Sequence, residues 1–144
     1  MASGYRAPMD RDDALRRLAG ARAGHLATAD RGSLPHVVPV VFVVAGETVY
    51  WAVDRKPKRT RDLKRLRNIE ANPNVQLVAD HYEEDWSRLW WVRITGHART
   101  VEDEDEADRA LDALAEKYPQ YRADPPSGPV VAIDITRVVA WDSS

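Results

Sequence analysis

Eight basic residues, Arg55, Lys56, Lys58, Arg59, Arg61, Lys64, Arg65 and Arg67, fall within 13 positions, with Asp62 the one acid among them. Cationic side chains beside the free N–H groups of a helix start and the hydroxyl of Thr60 make a phosphate site, because the backbone supplies oriented donors and arginine a charge-assisted fork. The same composition also describes a solvated basic helix face. Two acidic clusters, 80–85 and 102–108, balance this segment, so a formal net charge of -2 conceals a concentrated local cation. That pattern suits an anionic ligand of limited size and excludes a globally basic nucleic-acid binder.

Other chemistries are absent from the sequence. It contains no cysteine, which removes disulfides, thiolate metal sites, iron–sulfur ligation and thiol catalysis together. The histidines, His25, His36, His81 and His97, are scattered, and neither an HExxH nor a G-x-S-x-G arrangement occurs. They read as structural or surface residues, and no metal is expected. The acids around Asp80 and Glu83 to Asp85 read as a solvated turn. Five tryptophans, Trp51, Trp86, Trp90, Trp91 and Trp141, form the second signal. Neighbours on a strand point to opposite faces, so one of Trp90 and Trp91 can enter a core while the other faces outward beside Arg93. An outward indole there can stack on a ring, close a dimer interface or serve plain packing.

The elements that must position these residues follow from local signals. Asp10 or Asp12 caps a helix to about Gly20, with Leu15, Leu18 and Ala19 on one face; residues 1–9 read as a loose arm. HLATAD is a short strand, and Asp30-Arg31-Gly32-Ser33 turns it into PHVVPVVFVV. That second strand is apolar almost without break from Val37 to Val44, which predicts burial on both faces, with Pro39 marking a bulge or an edge. Ala45-Gly46-Glu47 leads into TVYWAV. The basic segment is then a strand-to-helix loop and a helix, capped by Thr60, directed inward by Leu63 and Leu66, and stopped at Asn72-Pro73. On that helix Arg61, Lys64 and Arg65 share a face. VQLVADHY and LWWVRITGHARTV follow as strands, then a helix from Glu104 to about Tyr118, a proline-rich loop, and a last strand VVAIDITRVVAW. Six strands and about three helices predict a mainly β fold with helices, a small antiparallel barrel, in one domain spanning 1–144. With 144 residues, no apolar run approaching a membrane span and no signal-peptide pattern at the start, the expected location is the cytoplasm.

Four segments, taken in order, resemble one family: H-L-A-T-A-D-x-G-x-P-H-V-V-P-V at 25–40, A-V-D-R-K-P-K-R-T-x-x-L at 52–63, N-I-x-A-N-P at 68–73, and D-H-Y-E-E-D-W-S-R-L-W-W-V-R-I at 80–94. The chain is similar over about 12–141 to the pyridoxamine 5'-phosphate oxidase-like, FMN-binding split-barrel family, and within it to the actinobacterial branch of coenzyme F-420-dependent oxidoreductases. The resemblance implies a six-stranded split barrel and a homodimer with two cofactor grooves at the subunit interface. It places the flavin or deazaflavin ring near Pro39, Val40, Ala52 and Val53. The phosphate would lie at Lys56, Lys58, Arg59 and Thr60 with Arg55 nearby, and Trp90 or Trp91 would close the groove from the partner subunit. The arginine- and proline-bearing tail of true pyridoxamine phosphate oxidases is missing, since the chain ends T-R-V-V-A-W-D-S-S.

FMN ends in one phosphate, whereas F-420 carries a phosphodiester and a chain of glutamates, and eight cations in 13 positions suit the longer anion. The expected function is therefore an F-420-dependent oxidoreductase passing a hydride to a small conjugated acceptor, the cofactor carrying the chemistry and the protein its position. No acid or base residue is assigned; solvent, Tyr82 and Tyr118 are all open as proton donors. An FMN-dependent enzyme, a non-catalytic flavin or haem carrier, and a small RNA-binding barrel are the alternatives. Neither nucleic acid nor a membrane is expected as a partner.

Overall fold

The computed structural model describes residues 9–53 and 63–143. Seven strands form one sheet in the order β2-β1-β5-β6-β7-β4-β3, each neighbouring pair antiparallel. They are β1 (Gly24–Ala29), β2 (Pro35–Val40), β3 (Val43–Ala45), β4 (Thr48–Ala52), β5 (Asn74–His81), β6 (Trp90–Thr100) and β7 (Val130–Asp142). The other elements among the described residues are helices α1 (Arg11–Gly20), α2 (Lys64–Ala71), α3 (Glu104–Lys117) and the short α4 (Pro119–Ala123), and a 3-10 turn at Trp86–Arg88. The expected mainly β split barrel is thus present, with seven strands instead of six.

The extra strand comes from the apolar run 37–44. It breaks at Val41 and Phe42, and its halves lie on opposite edges of the sheet, β2 against β1 and β3 against β4. The expected burial on both faces of one strand is therefore wrong for β2, where Val37 is 61% exposed and Pro35 and Pro39 are exposed as well. Pro39 sits on an edge strand, as its missing N–H requires. Edge strands are held from one side only, which leaves β2 half-dressed.

Local chemistry fixes the ends of the elements. Asp10 caps α1 by accepting from the N–H of Asp13 at 2.9 Å, and Asp103 caps α3 by accepting from Glu106 at 3.0 Å. The β1–β2 turn closes on the Asp30 carboxylate, which accepts from Gly32 and Leu34, each at 2.9 Å. Gly46, at φ 63°, takes the left-handed position in the β3–β4 turn. At Gly96 the β6–β7 register shifts, and a Cβ there would stand 2.5 Å from the carbonyl of Asp134, so only glycine fits the close approach.

Leu18, Leu26, Phe42, Trp51, Leu77, Ile94 and Ile133 build the main core inside the curl of the sheet. A smaller cluster of Ala52, Ala110, Leu114, Tyr118 and Val130 holds α3 to the outside of β4 and β7. The polar rim of that contact is a clamp centred on Arg99. Its guanidinium donates to Asp134 at 2.7 Å and to both oxygens of Glu106, at 2.9 and 3.1 Å, while the Tyr50 hydroxyl donates to Glu106 at 2.6 Å. Four elements, α3, β4, β6 and β7, meet in this one network.

These bonds hold the Glu106 carboxyl at about 2, far below its ordinary 4.5, and lower Asp134 too, the Arg99 hydrogen bonds being the largest cause in each. A carboxylate with a depressed folded-state pKa stabilises the fold above its ordinary pKa and loses that contribution as pH falls toward the folded value. Urea unfolding midpoints measured from pH 7 down should therefore hold until about pH 5 and then fall steadily toward about pH 2. Arg99→Leu should lower the midpoint at pH 7 and flatten the acid slope.

Candidate functional site

The basic segment is bracketed by two well-fixed jaws. On one side β4 ends at Ala52, and Val53 is tied to the 128–129 loop through Val53 N–H to the Pro129 carbonyl and Gly128 N–H to the Val53 carbonyl, both 3.0 Å. A Cβ on Gly128 would lie 2.5 Å from that carbonyl, so this loop lies directly against Val53. On the other side α2 begins at Lys64 behind Leu63, which offers no side-chain cap. Among the described residues no side chain caps this start, where the Leu66 N–H donates to the Leu63 carbonyl at 3.1 Å.

Leu63 and Leu66 pack on the core and Ile69 is buried, as their spacing predicts. Arg65 differs from the expectation of a shared outward face with Arg61 and Lys64. Its guanidinium lies 5.1 Å over the ring of the fully buried Trp51, and burial pushes its pKa down. The reason is geometric, because Arg65 stands i−3 from buried Asn68 and i−4 from Ile69 and so belongs to the inward face. Asn68 in turn donates to Thr28 on β1 at 3.0 Å, a buried pair that fixes the helix to the sheet. Lys64 is directed to Asp30, 3.8 Å away.

Trp51 Nε1 and Arg65 Nε are both buried and find no hydrogen-bond partner among the described residues. Buried donors are normally satisfied, and these two, stacked on each other three residues from either end of 54–62, are donors that an acceptor from that segment or an anionic group would satisfy. The donor set therefore fits an anionic group. Arg55, Lys56, Lys58, Arg59 and Thr60, the expected phosphate residues, lie outside the described residues, as do Arg61 and the Thr60 cap.

The expected ring residues are divided between surfaces. Val40 and Val53 are buried in the main core cluster, Ala52 belongs to the α3 cluster, and Pro39 is exposed on the β2 edge. Trp90 and Trp91, neighbours on β6, are both half-buried. Trp90 packs against the main core with Arg17 5.4 Å from its ring, and lines a cleft of about 440 Å³ with Arg17, His81, Arg88 and Asp142. Trp91 lies beside Trp141 of β7, with Arg93 5.3 Å from its ring. Neither expected proton donor is placed alike: Tyr82 is exposed beyond the end of β5, whereas Tyr118 is buried, its hydroxyl bonded to backbone and its pKa raised by that burial. Among the described residues no group of histidines and acids can hold a metal, and no helix is long and apolar enough to cross a membrane.

Sequence reasoning missed the group that fixes the β2–β3 crossover. The Tyr118 hydroxyl accepts from the Phe42 N–H at 3.1 Å and lies 3.0 Å from the carbonyls of both Phe42 and Arg22. Lys117 donates to the same Phe42 carbonyl at 2.9 Å. No sequence signal links positions 76 residues apart, although Tyr118 is where the helix from Glu104 is expected to end.

A family model described as pyridoxamine 5'-phosphate oxidase matches residues 10–142. No curated protein matches the chain. Solved structures share the fold: a conserved hypothetical protein from Mycobacterium tuberculosis (TM-score 0.78, 19% identity, covering 96% of this chain and 89% of that one) and an FAD-binding protein from Mesorhizobium loti (0.71, 20%, 93% and 95%). A haem-binding protein from Mycobacterium smegmatis is similar too (0.75, 19%), covering 95% of this chain and 55% of that one.

Removing the Tyr118 hydroxyl leaves the Phe42 N–H buried without an acceptor. Tyr118→Phe should therefore cost about 1–3 kcal/mol in urea unfolding while the far-ultraviolet spectrum is unchanged.

Proposed function

The chain belongs to the pyridoxamine 5'-phosphate oxidase-like split-barrel family, and from that premise we propose that it binds an anionic flavin-type cofactor, coenzyme F-420, and works as an oxidoreductase on a small conjugated acceptor. The observation that carries this reading is the cationic run that follows β4 in the sequence and continues into α2, flanked by the buried donors of Trp51 and Arg65, which find no acceptor among the described residues. Lys56, Lys58, Arg59 and Thr60, with Arg55, would hold the phosphate, and Pro39, Val40, Ala52 and Val53 would border the ring. When bound, the deazaflavin supplies hydride-transfer chemistry. The residues bind, orient and exclude water; none is assigned an acid or base role.

In the same reading the protein is a single-domain homodimer, with Trp90 or Trp91 closing the groove of the partner subunit. Exposed Leu34, Val37, Trp86 and Trp141 supply the apolar surface for such an interface. A cytoplasmic location accompanies it.

A flavin is the second reading, and the likeness to FAD-binding proteins favours it. So does Arg65, since a guanidinium turned onto Trp51 leaves the helix fewer cations for a glutamate tail. The loop cations, ahead of the helix, then carry the preference for F-420.

Titration of the apo-protein with F-420 and with FMN, followed by fluorescence, tests the proposal. F-420 should bind more tightly, and Lys58→Ala with Arg59→Ala should weaken it at least about tenfold, ~1.4 kcal/mol. The loss should shrink as salt rises. Unchanged F-420 affinity in the double variant at low salt would remove the phosphate assignment, and tighter binding of FMN would move the protein to the second reading. A haem band in place of either would make it a carrier.

A further inference from the structure

Lys117, the last residue of α3, is one of only four lysines in the chain, with Lys56, Lys58 and Lys64, among 21 lysines and arginines. Its nitrogen donates to the Phe42 carbonyl at 2.9 Å and lies 4.3 Å from the centroid of the Phe42 ring and 5.2 Å from that of Tyr118. Arg22 stands 4.9 Å from the Tyr118 ring and donates to the Lys117 carbonyl at 3.1 Å. The charged and titratable groups acting on the lysine nitrogen are thus Arg22 and Tyr118, and no carboxylate pairs with it among the described residues. Lys117 is half-buried, whereas Arg22 is exposed.

We propose that Lys117 is a covalent modification site, a nucleophilic amine that takes the acyl group of small anionic acyl donors, acyl phosphates in particular, with Arg22 attracting the donor's phosphate. A lysine becomes a nucleophile when its ammonium loses water or stands next to another cation. Both conditions hold at Lys117. Burial first, and the Arg22 charge second, bring its pKa down to about 8. The two aromatic rings favour the cation and offset part of that effect without removing it. An ordinary lysine carries a free lone pair in only about one molecule in a thousand at pH 7.5; Lys117 does so in a substantial fraction.

The reaction needs no oxidant or reductant. The neutral amine attacks the acyl carbon, the C–N bond forms as the acyl–oxygen bond breaks, and phosphate leaves with the bonding electron pair. The surplus proton on nitrogen passes to phosphate or solvent. Acylation removes the charge from above Phe42 and Tyr118, so the modification acts at the crossover that joins the two edges of the sheet. This inference is independent of which cofactor the protein binds.

Brief treatment of the folded full-length protein with acetyl phosphate, followed by peptide mass spectrometry, ranks the four lysines in one tube. Lys117 should react about fivefold faster than Lys64 at pH 7.5, and its rate should level off above about pH 8 while the other rates keep rising. In urea the preference should vanish. Arg22→Gln should slow labelling by acetyl phosphate more than labelling by uncharged acetic anhydride, which separates attraction of the donor from activation of the amine. Equal slowing by both reagents would overturn the role of Arg22. Lys117 reacting no faster than Lys64 in the folded protein would overturn the site.

Discussion

Phe42 is completely buried at the point where the chain leaves one edge of the sheet and joins the other, and its backbone N–H and C=O have no strand to pair with. A buried peptide group cannot be left in that state, since each unsatisfied partner costs about 1–3 kcal/mol. The end of α3 meets the requirement. The Tyr118 hydroxyl takes the N–H, and the carbonyl is shared between that hydroxyl and Lys117. Everything that makes the sheet a half-closed barrel depends on this satisfied corner, because β2 ends just before it and β3 begins just after it.

From the corner the consequences run to the cationic segment. Once β3 is set, its pairing with β4 directs Trp51 into the core and delivers Val53 to the Gly128–Pro129 loop. Across the basic segment α2 is held by Asn68 on Thr28 and by Ile69, and those two contacts determine that Arg65 turns inward over Trp51. The Arg99 clamp secures the opposite side by fastening α3 to three strands. The loop carrying the greatest density of positive charge thus springs from two rigid supports.

Elements governed by local rules were legible in the sequence. Asp10, one of the two acids expected to cap α1, does so, the Asp30 turn closes its hairpin, and the alternation of the last strand runs from Val130 to Asp142. The break at Val41 and Phe42 was not legible, because the residues on both sides are equally apolar and the group that fixes the break lies 76 positions away. Arg65 was misread for a different reason. Its spacing from Arg61 and Lys64 put it on their face, whereas its spacing from Asn68 and Ile69 assigns it inward, and the packing of those two residues decides. The expected phosphate residues lie outside the described residues and remain a reading of the sequence.

Hydrogen exchange, read by mass spectrometry on the protein with and without saturating F-420, tests most directly whether this segment is where the cofactor binds. Peptides covering 52–66 should exchange more slowly in the complex, including the first-turn amides of α2, while the α3 clamp region stays unchanged. Full occupancy of the protein by F-420 with no slowing anywhere in 52–66 would contradict the account.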